Sequence, residues 1–509
     1  MSKTPNENTT RAARRMLYCA VGAALLSIPT LAVADETFSL QQVVVIPGAP
    51  LVSFDISFVD PGLNQYFLAD RSNASIDIID VNSFHVRQII PPAPNNFVGN
   101  TGNSATSGPN GILTLSARSS DDFWTDDDQG RHFTPQIWAG DGNSTVKIID
   151  YKSGNVINVV NTGGSQRADE LCFDPKDDVV MIANDGDPDL FVTFISTTGN
   201  NAILGKIKFN GTDPNGMFLS STGGIEQCQW NSRDGFIYLN IPSTTLHSQG
   251  DVVRIDPVAM KVVADFAAGS VADNCQPAGM ALGPQILFNP GMALLLGCGP
   301  NTNNVSLVMN ASNGSTVEIP GNSGADEVWY NPNDGHYFLA EGNNPTGHQL
   351  GIVDAMLNTP DQNVIGTGVS SHSVAADPQH NNVFVPIRGT GGGSTFCGAT
   401  AALQAQGCVA IFSANGPPQS NFIVRNTGPA GGQSAPAGSQ SASVSVTNSA
   451  SPQGALMGQP EDQSASFSIP ALPAPSMGPA GDTQPVIGVV VAPNSGDCDT
   501  TNDTTCQQQ

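Results

Sequence analysis

The sequence predicts an all-β fold: a seven-bladed β-propeller of four-stranded antiparallel blades, closed on its last blade by an N-terminal strand and followed by a disordered C-terminal tail. Three observations predict it. A two-strand unit built around an Asp/Asn turn recurs about every fifty residues. Each copy is followed by short strands of period two. One β-branched run near the amino end has no partner within a repeat of its own.

Composition sets the frame for these strands. The chain has 509 residues, including 54 Gly and 37 Pro, and 12% are charged, about half the usual quarter. Turn formers and neutral polar residues therefore carry its solubility. There are 19 Lys and Arg against 44 Asp and Glu, for a net charge of -25. Such a surface repels a phosphate backbone and an anionic membrane, which excludes nucleic-acid binding.

At the amino end, Arg11, Arg14 and Arg15 precede an apolar stretch from Met16 to Val33 that closes on Ala32, Val33 and Ala34. This is the pattern of an export signal cleaved before Asp35, so residues 1–34 are expected to be removed and the mature chain to be periplasmic or secreted. No later stretch approaches the ~18 apolar residues of a spanning helix. Losing Cys19 leaves eight of the nine cysteines, an even number that favours disulfides in an oxidising compartment. Sequence neighbours suggest Cys275 with Cys298, Cys397 with Cys408 and Cys498 with Cys506, leaving Cys172 and Cys228 as a fourth pair.

The repeat is plainest in FDISFVDPGLNQYFLAD from Phe54, ADELCFDPKDDVVMIAND from Ala168, ADEVWYNPNDGHYFLAEGN from Ala325 and HSVAADPQHNNVFVPIR from His372. Weaker copies start at Pro109, Ile225 and Pro277, which makes seven. Third strands ending in Asp follow, as in Ser75 to Asp80, Thr145 to Asp150, Asp251 to Asp256 and Gly351 to Asp354. The seventh unit has three strands and no fourth, and the orphan run Ser39 to Pro47 is expected to complete it as the outer strand. Residues 35–415 form this domain. From 416 to 509 the chain turns to Pro, Gly, Ser, Ala and Gln and is expected to be largely disordered, with Val486 to Ala492 its one strand-like piece.

The register singles out one position. Five residues before the turn Asp or Asn, where the innermost strand begins, stand Asp55, Asn110, Asp169, Glu226, Ala278, Asp326 and His372. A propeller converges these on the mouth of its central channel. Glu170 and Glu327 add charge one residue further along, and the second strands end in Asp70, Asp141, Asn184-Asp185, Glu341 and Arg388. The top face is thus expected to be an acidic funnel. Carboxylates crowded there need a counter-ion, and a hard divalent cation, most simply Ca²⁺, would take oxygens from Asp55, Asn110, Asp169, Glu226 and Asp326. His372, the ring's imidazole, could move a proton, as could Glu170 and Glu327.

The segments His372-Ser-Val-Ala-Ala-Asp-Pro and Ser107-Gly-Pro-Asn-Gly-Ile resemble the inner-strand signature of YVTN, NHL and gluconolactonase (regucalcin-like) propellers over roughly residues 39–415. For the gluconolactonase family this implies metal ligands of Glu, Asn and Asp type at the starts of inner strands. Asn110 in Pro109-Asn110-Gly111 is the closest match, with Asp55, Asp169, Glu226 and Asp326 matching by position and chemistry. That family's R-P-N-D-G segment is absent, and it commonly has six blades. Gly-His and Trp-Asp pairs at repeat spacing, G-x-S-x-G and H-E-x-x-H are absent too. The acid-rich Asp121 to His132 misses calcium-loop spacing and reads as a solvated loop.

Two functions follow. The first is an exported, monomeric propeller that binds a small molecule, polymer or protein partner on its acidic top face, without membrane insertion. The second is a metal-dependent lactone or ester hydrolase, in which the cation polarises a carbonyl and His372, Glu170 or Glu327 transfers a proton.

Overall fold

The computed structural model describes residues 37–414, apart from 92–93, 95, 117–134, 285–292, 362, 369–370 and 390–393, together with the backbone of 424–426. The expected export signal, the acid-rich insertion, the Cys498 and Cys506 pair and the strand-like piece at Val486 lie outside these residues.

Seven antiparallel sheets follow one another along the chain. Blade 1 comprises Ser57–Asp60, Gln65–Asp70, Ser75–Asp80 and Val86–Ile90. Blades 2 to 6 repeat the plan with first strands at Ile112–Leu115, Leu171–Asp174, Cys228–Asn231, Pro277–Leu282 and Val328–Asn331. Blade 7 takes Ala375–Asp377, Asn382–Ile387 and Cys408–Ser413, and is completed by Ser39–Val45, paired antiparallel to the third of these. First strands of successive blades pack side by side, and that of blade 7 meets that of blade 1. The ring is closed, as the sequence predicts.

The turn residues explain why the repeat looks as it does. Asp60, Asp174, Asn231, Asn331 and Asp377 each accept a backbone N–H two or three residues on, which fixes the turn between the first and second strands. Asp80, Asp150, Asp256 and Asp354 do the same after the third strand. In blades 1 to 4 a register shift falls at the equivalent place between third and fourth strands, at Ile78/Ile79, Ile148/Ile149, Phe194/Ile195 and Arg254/Ile255. Such a shared bulge adds to strand twist and marks true structural repeats.

Each blade is apolar on both faces, so its core is the seam with its neighbour. Seven buried apolar clusters occupy the seven seams, including the one between blades 7 and 1 built on Val44, Phe54, Tyr66 and Phe384. Trp138, Phe194 and Phe338 are fully buried in such seams, where truncation to Ala costs about 3–5 kcal/mol.

Three disulfides form as the sequence suggests. Cys172–Cys228 ties the first strands of blades 3 and 4, Cys275–Cys298 staples blade 5, and Cys397–Cys408 pins the blade 7 insertion. That insertion holds the single described α-helix, Ala401–Gln406, capped by Thr400. No helix among the described residues is long and apolar enough to cross a membrane.

One feature differs from expectation. The closing strand is not outermost, because Val424–Asn426 pairs parallel along its free side. Ser39–Val45 otherwise leaves a row of unpaired backbone groups, and even three tail residues can satisfy part of that edge.

Candidate functional site

The seven register residues gather at one end of the channel through shared backbone bonds. Asp55, Asn110, Asp169, Glu226 and Asp326 each donate their N–H to the second strand of their own blade, to Ala69, Gly140, Ala183, Asn240 and Ala340. One residue along, Gly111, Gln227 and Glu327 donate across to Asp169, Ala278 and His372 of the next blade. Gly111 and Gly279 are required there: a Cβ would sit 2.2 Å from the Asp169 carbonyl oxygen or 2.5 Å from that of Asp326. These backbone bonds cross three of the seven seams, between blades 2 and 3, 4 and 5, and 6 and 7.

Two arginines enter this ring that register reasoning misses. Arg71, which follows the second strand of blade 1, donates Nη2 to Asp55 at 2.5 Å and Nε and Nη2 to Asn110 Oδ1 at 3.0 and 2.6 Å. The Asn110 amide in turn donates to the Ala168 carbonyl at 2.9 Å. Arg167 sits two residues before Asp169 and bridges it at 2.7 Å to Asp185 at 2.6 Å. Burial opposes the charge of both guanidiniums. Arg71 is lowered despite Asp55, whereas Asp169 and Asp185 hold Arg167 well above its ordinary value. On the side of blades 1 to 3 the carboxylates are therefore met by side chains of the chain itself.

Blades 4 to 7 are arranged differently. Ala278 contributes no polar group to the ring between Glu226 on blade 4 and Asp326 on blade 6. Asp326 is enclosed by the ring yet 46% exposed, because it faces the open channel. Burial raises its pKa, but the hydrogen bond from His372 and its charge prevail and hold the group below the usual value. His372 reaches Asp326 through Nδ1 at 2.8 Å and the Phe54 carbonyl through Nε2 at 3.0 Å. Both ring nitrogens thus face acceptors, and the imidazole ties blade 6 to blade 1. Glu226 is part-buried, and burial together with Asp185 and Asp326 raises it well above its ordinary value. Burial, opposed by Arg167 and reinforced by Asp55 and Asp185, pushes Asp169 up to about 8.

Below the ring, Glu170 and Glu327 are buried against each other from blades 3 and 6. Burial, then the facing carboxyl, raises Glu170 well above the usual range, and burial raises Glu327 as well. Gln227 Nε2 donates to Glu327 at 2.8 Å. Two adjoining buried carboxyls disfavour each other's ionisation.

The second-strand termini divide. Asp185 does face the channel, and Arg388 lies 5.6 Å over the Phe54 ring beside it. Asp70, Asp141 and Glu341 turn into their blades instead, where they brace the next turn through Asn73, through the Val98 and Gly142 N–H groups, and through Asn322, Asn344 and Gln349. Their similarity in sequence hides this split, because a one-residue change in where a strand ends decides which face an acid serves.

No protein-family model matches the chain, and no curated protein matches it. Among solved structures, a chain in a crystal structure of the mitotic checkpoint complex is similar at 13% identity and a TM-score of 0.49, over 75% of this chain and 94% of that one. The protein is a seven-bladed β-propeller whose acidic channel mouth is bridged by its own arginines on one side.

Proposed function

We propose that the protein is an exported binding propeller whose channel mouth takes a cationic group between Glu226 and Asp326, on the side of the ring where Ala278 supplies no polar group. The carrying observation is the imbalance of charge across the mouth. Arg71 and Arg167 pair directly with Asp55, Asp169 and Asp185, while Glu226 and Asp326 flank Ala278 and feel Arg167 only through space, Asp326 being hydrogen-bonded to His372. A Lys side chain of a partner, an organic amine or Ca²⁺ meets this chemistry, and the amine fits a donor set that offers two carboxylates rather than the six to eight oxygens Ca²⁺ prefers. Three disulfides and the basic, apolar amino end support export.

The test is calorimetric titration of the purified chain with a Lys-rich peptide and, separately, with Ca²⁺, repeated on Asp326→Asn and Glu226→Gln. Binding of either probe that weakens in both variants supports the reading, and absence of binding by both probes overturns it. The hydrolase alternative is favoured by one observation, the buried and adjoining carboxyls of Glu170 and Glu327. Turnover of a lactone or aryl ester that Glu170→Gln abolishes would select it.

A further inference from the structure

We propose a second site, outside the channel, that binds a first-row divalent cation such as Zn²⁺ through His247, Asp251 and Asp265 on blade 4. Among the described residues this is the one group of three imidazole and carboxylate donors whose ligand atoms lie within 4.8 Å of one another. The donors come from three places: the loop after the second strand, the first residue of the third strand (Asp251–Asp256) and the fourth strand (Lys261–Ala267). In the register Asp265 faces Val253, so Asp251 and Asp265 project from the same side of the blade. His247 Nδ1 lies 2.5 Å from Asp251 Oδ1 and 4.0 Å from Asp265 Oδ2.

A separate observation points to a missing partner. Asp265 Oδ1 is buried without a hydrogen-bond donor, and the group beside the Asp265 side chain is the Asp251 carboxyl, a contact between two acids that a cation would relieve. The ligands are also held from behind. Thr244 donates Oγ1 to Asp251 Oδ2 at 2.7 Å and accepts the His247 N–H at 3.0 Å, the kind of support that orients metal ligands. Blade 4 departs from its siblings here. The first residue of the third strand is Ser75, Thr145, Phe191, Val305, Gln349 or Cys408 in the other blades, and only blade 4 places a carboxylate there.

One nitrogen and two carboxylate oxygens suit Zn²⁺ with one position left for water. The ion would take the place of the Nδ1 proton, which leaves to solvent. His247 is 35% exposed, so solvent reaches the site.

The experiment is calorimetric titration of the purified full chain with Zn²⁺, for wild type and for His247→Ala, Asp265→Asn and Glu318→Gln. The result expected is one ion at this site per chain, with affinity at least tenfold weaker in the first two variants and unchanged in the third, whose substitution lies on an exposed strand of blade 5. No binding, or equal binding in all four proteins, overturns the site. A wild-type readout guards against misfolded variants: Zn²⁺ should protect His247 from acylation by diethyl pyrocarbonate, read by mass spectrometry, and unprotected His247 at saturating Zn²⁺ refutes the assignment.

Discussion

The two sides of the channel mouth begin from the same register position and solve the same problem in different ways. On blades 1 to 3 the acids Asp55, Asp169 and Asp185 are locked by Arg71 and Arg167, and only small fractions of these side chains are exposed. On blades 4 to 6 Glu226 and Asp326 flank Ala278, and Asp326 is open to the channel. The first side is a structural clamp between blades, and the second is the part of the ring with chemistry left over. Position in a repeat places a charge, and its neighbours decide whether that charge is used for folding or kept for a ligand.

The largest effect that would break this contrast comes from Arg167→Met. It leaves Asp169 and Asp185 buried without their cation, and should cost about 3–5 kcal/mol in denaturant unfolding. A loss as small as that of a surface substitution would mean the clamp does not exist. On the open side, Asp326→Asn should weaken cation binding at least tenfold, about 1.4 kcal/mol, by calorimetry. Ala278→Lys sharpens the comparison by giving the open side a cation of its own. It should abolish binding of a Lys-rich peptide while shifting stability by no more than about 1 kcal/mol.

The smallest effect is expected from Glu226→Gln, within about 0.5 kcal/mol at pH 5, because burial, Asp185 and Asp326 all disfavour the charge that the substitution removes. Its value lies in the pH profile. Groups raised on folding, Asp169 to about 8 and Glu226 well above 4.5, favour the fold fully at low pH, and that contribution is lost as pH rises toward 8. Asp326, lowered from 3.8, acts with the opposite sign, and its contribution, constant above about pH 5, is lost only as pH falls below 3.8. The melting temperature should therefore decline from pH 5 to 8, less steeply in Glu226→Gln. Identical slopes would show that Glu226 is not perturbed by its neighbours.

Much of the fold was legible because the repeat is written in short-range chemistry. Asp60, Asp174 and Asp377 announce turns that they hold with their own side chains, and Ser39 to Val45 stands out as a strand without a sheet. The ring of Asp55, Asn110, Asp169, Glu226, Ala278, Asp326 and His372 could be counted from those turns. Arg71 and Arg167 could not, since they lie outside the register position, in the segments that lead into and out of it. A sharper reading had one signal available: with only 19 Lys and Arg in the chain, an Arg directly after the second strand of blade 1, and another just ahead of Asp169, invited explanation. Likewise His247, Asp251 and Asp265 are scattered over a loop and two strands, with nothing in their spacing to mark them as neighbours.

The amino-acid order by itself determined the blades, their number, the closing strand and the paired cysteines, because alternation, turn residues and an unpartnered segment are local properties that survive in one dimension. Only the folded ring decided which acids are neutralised, which face the channel and which turn inward to brace a loop. Those outcomes depend on distances between side chains from different blades, and Coulomb and desolvation energies are functions of that separation, which the order of residues does not contain.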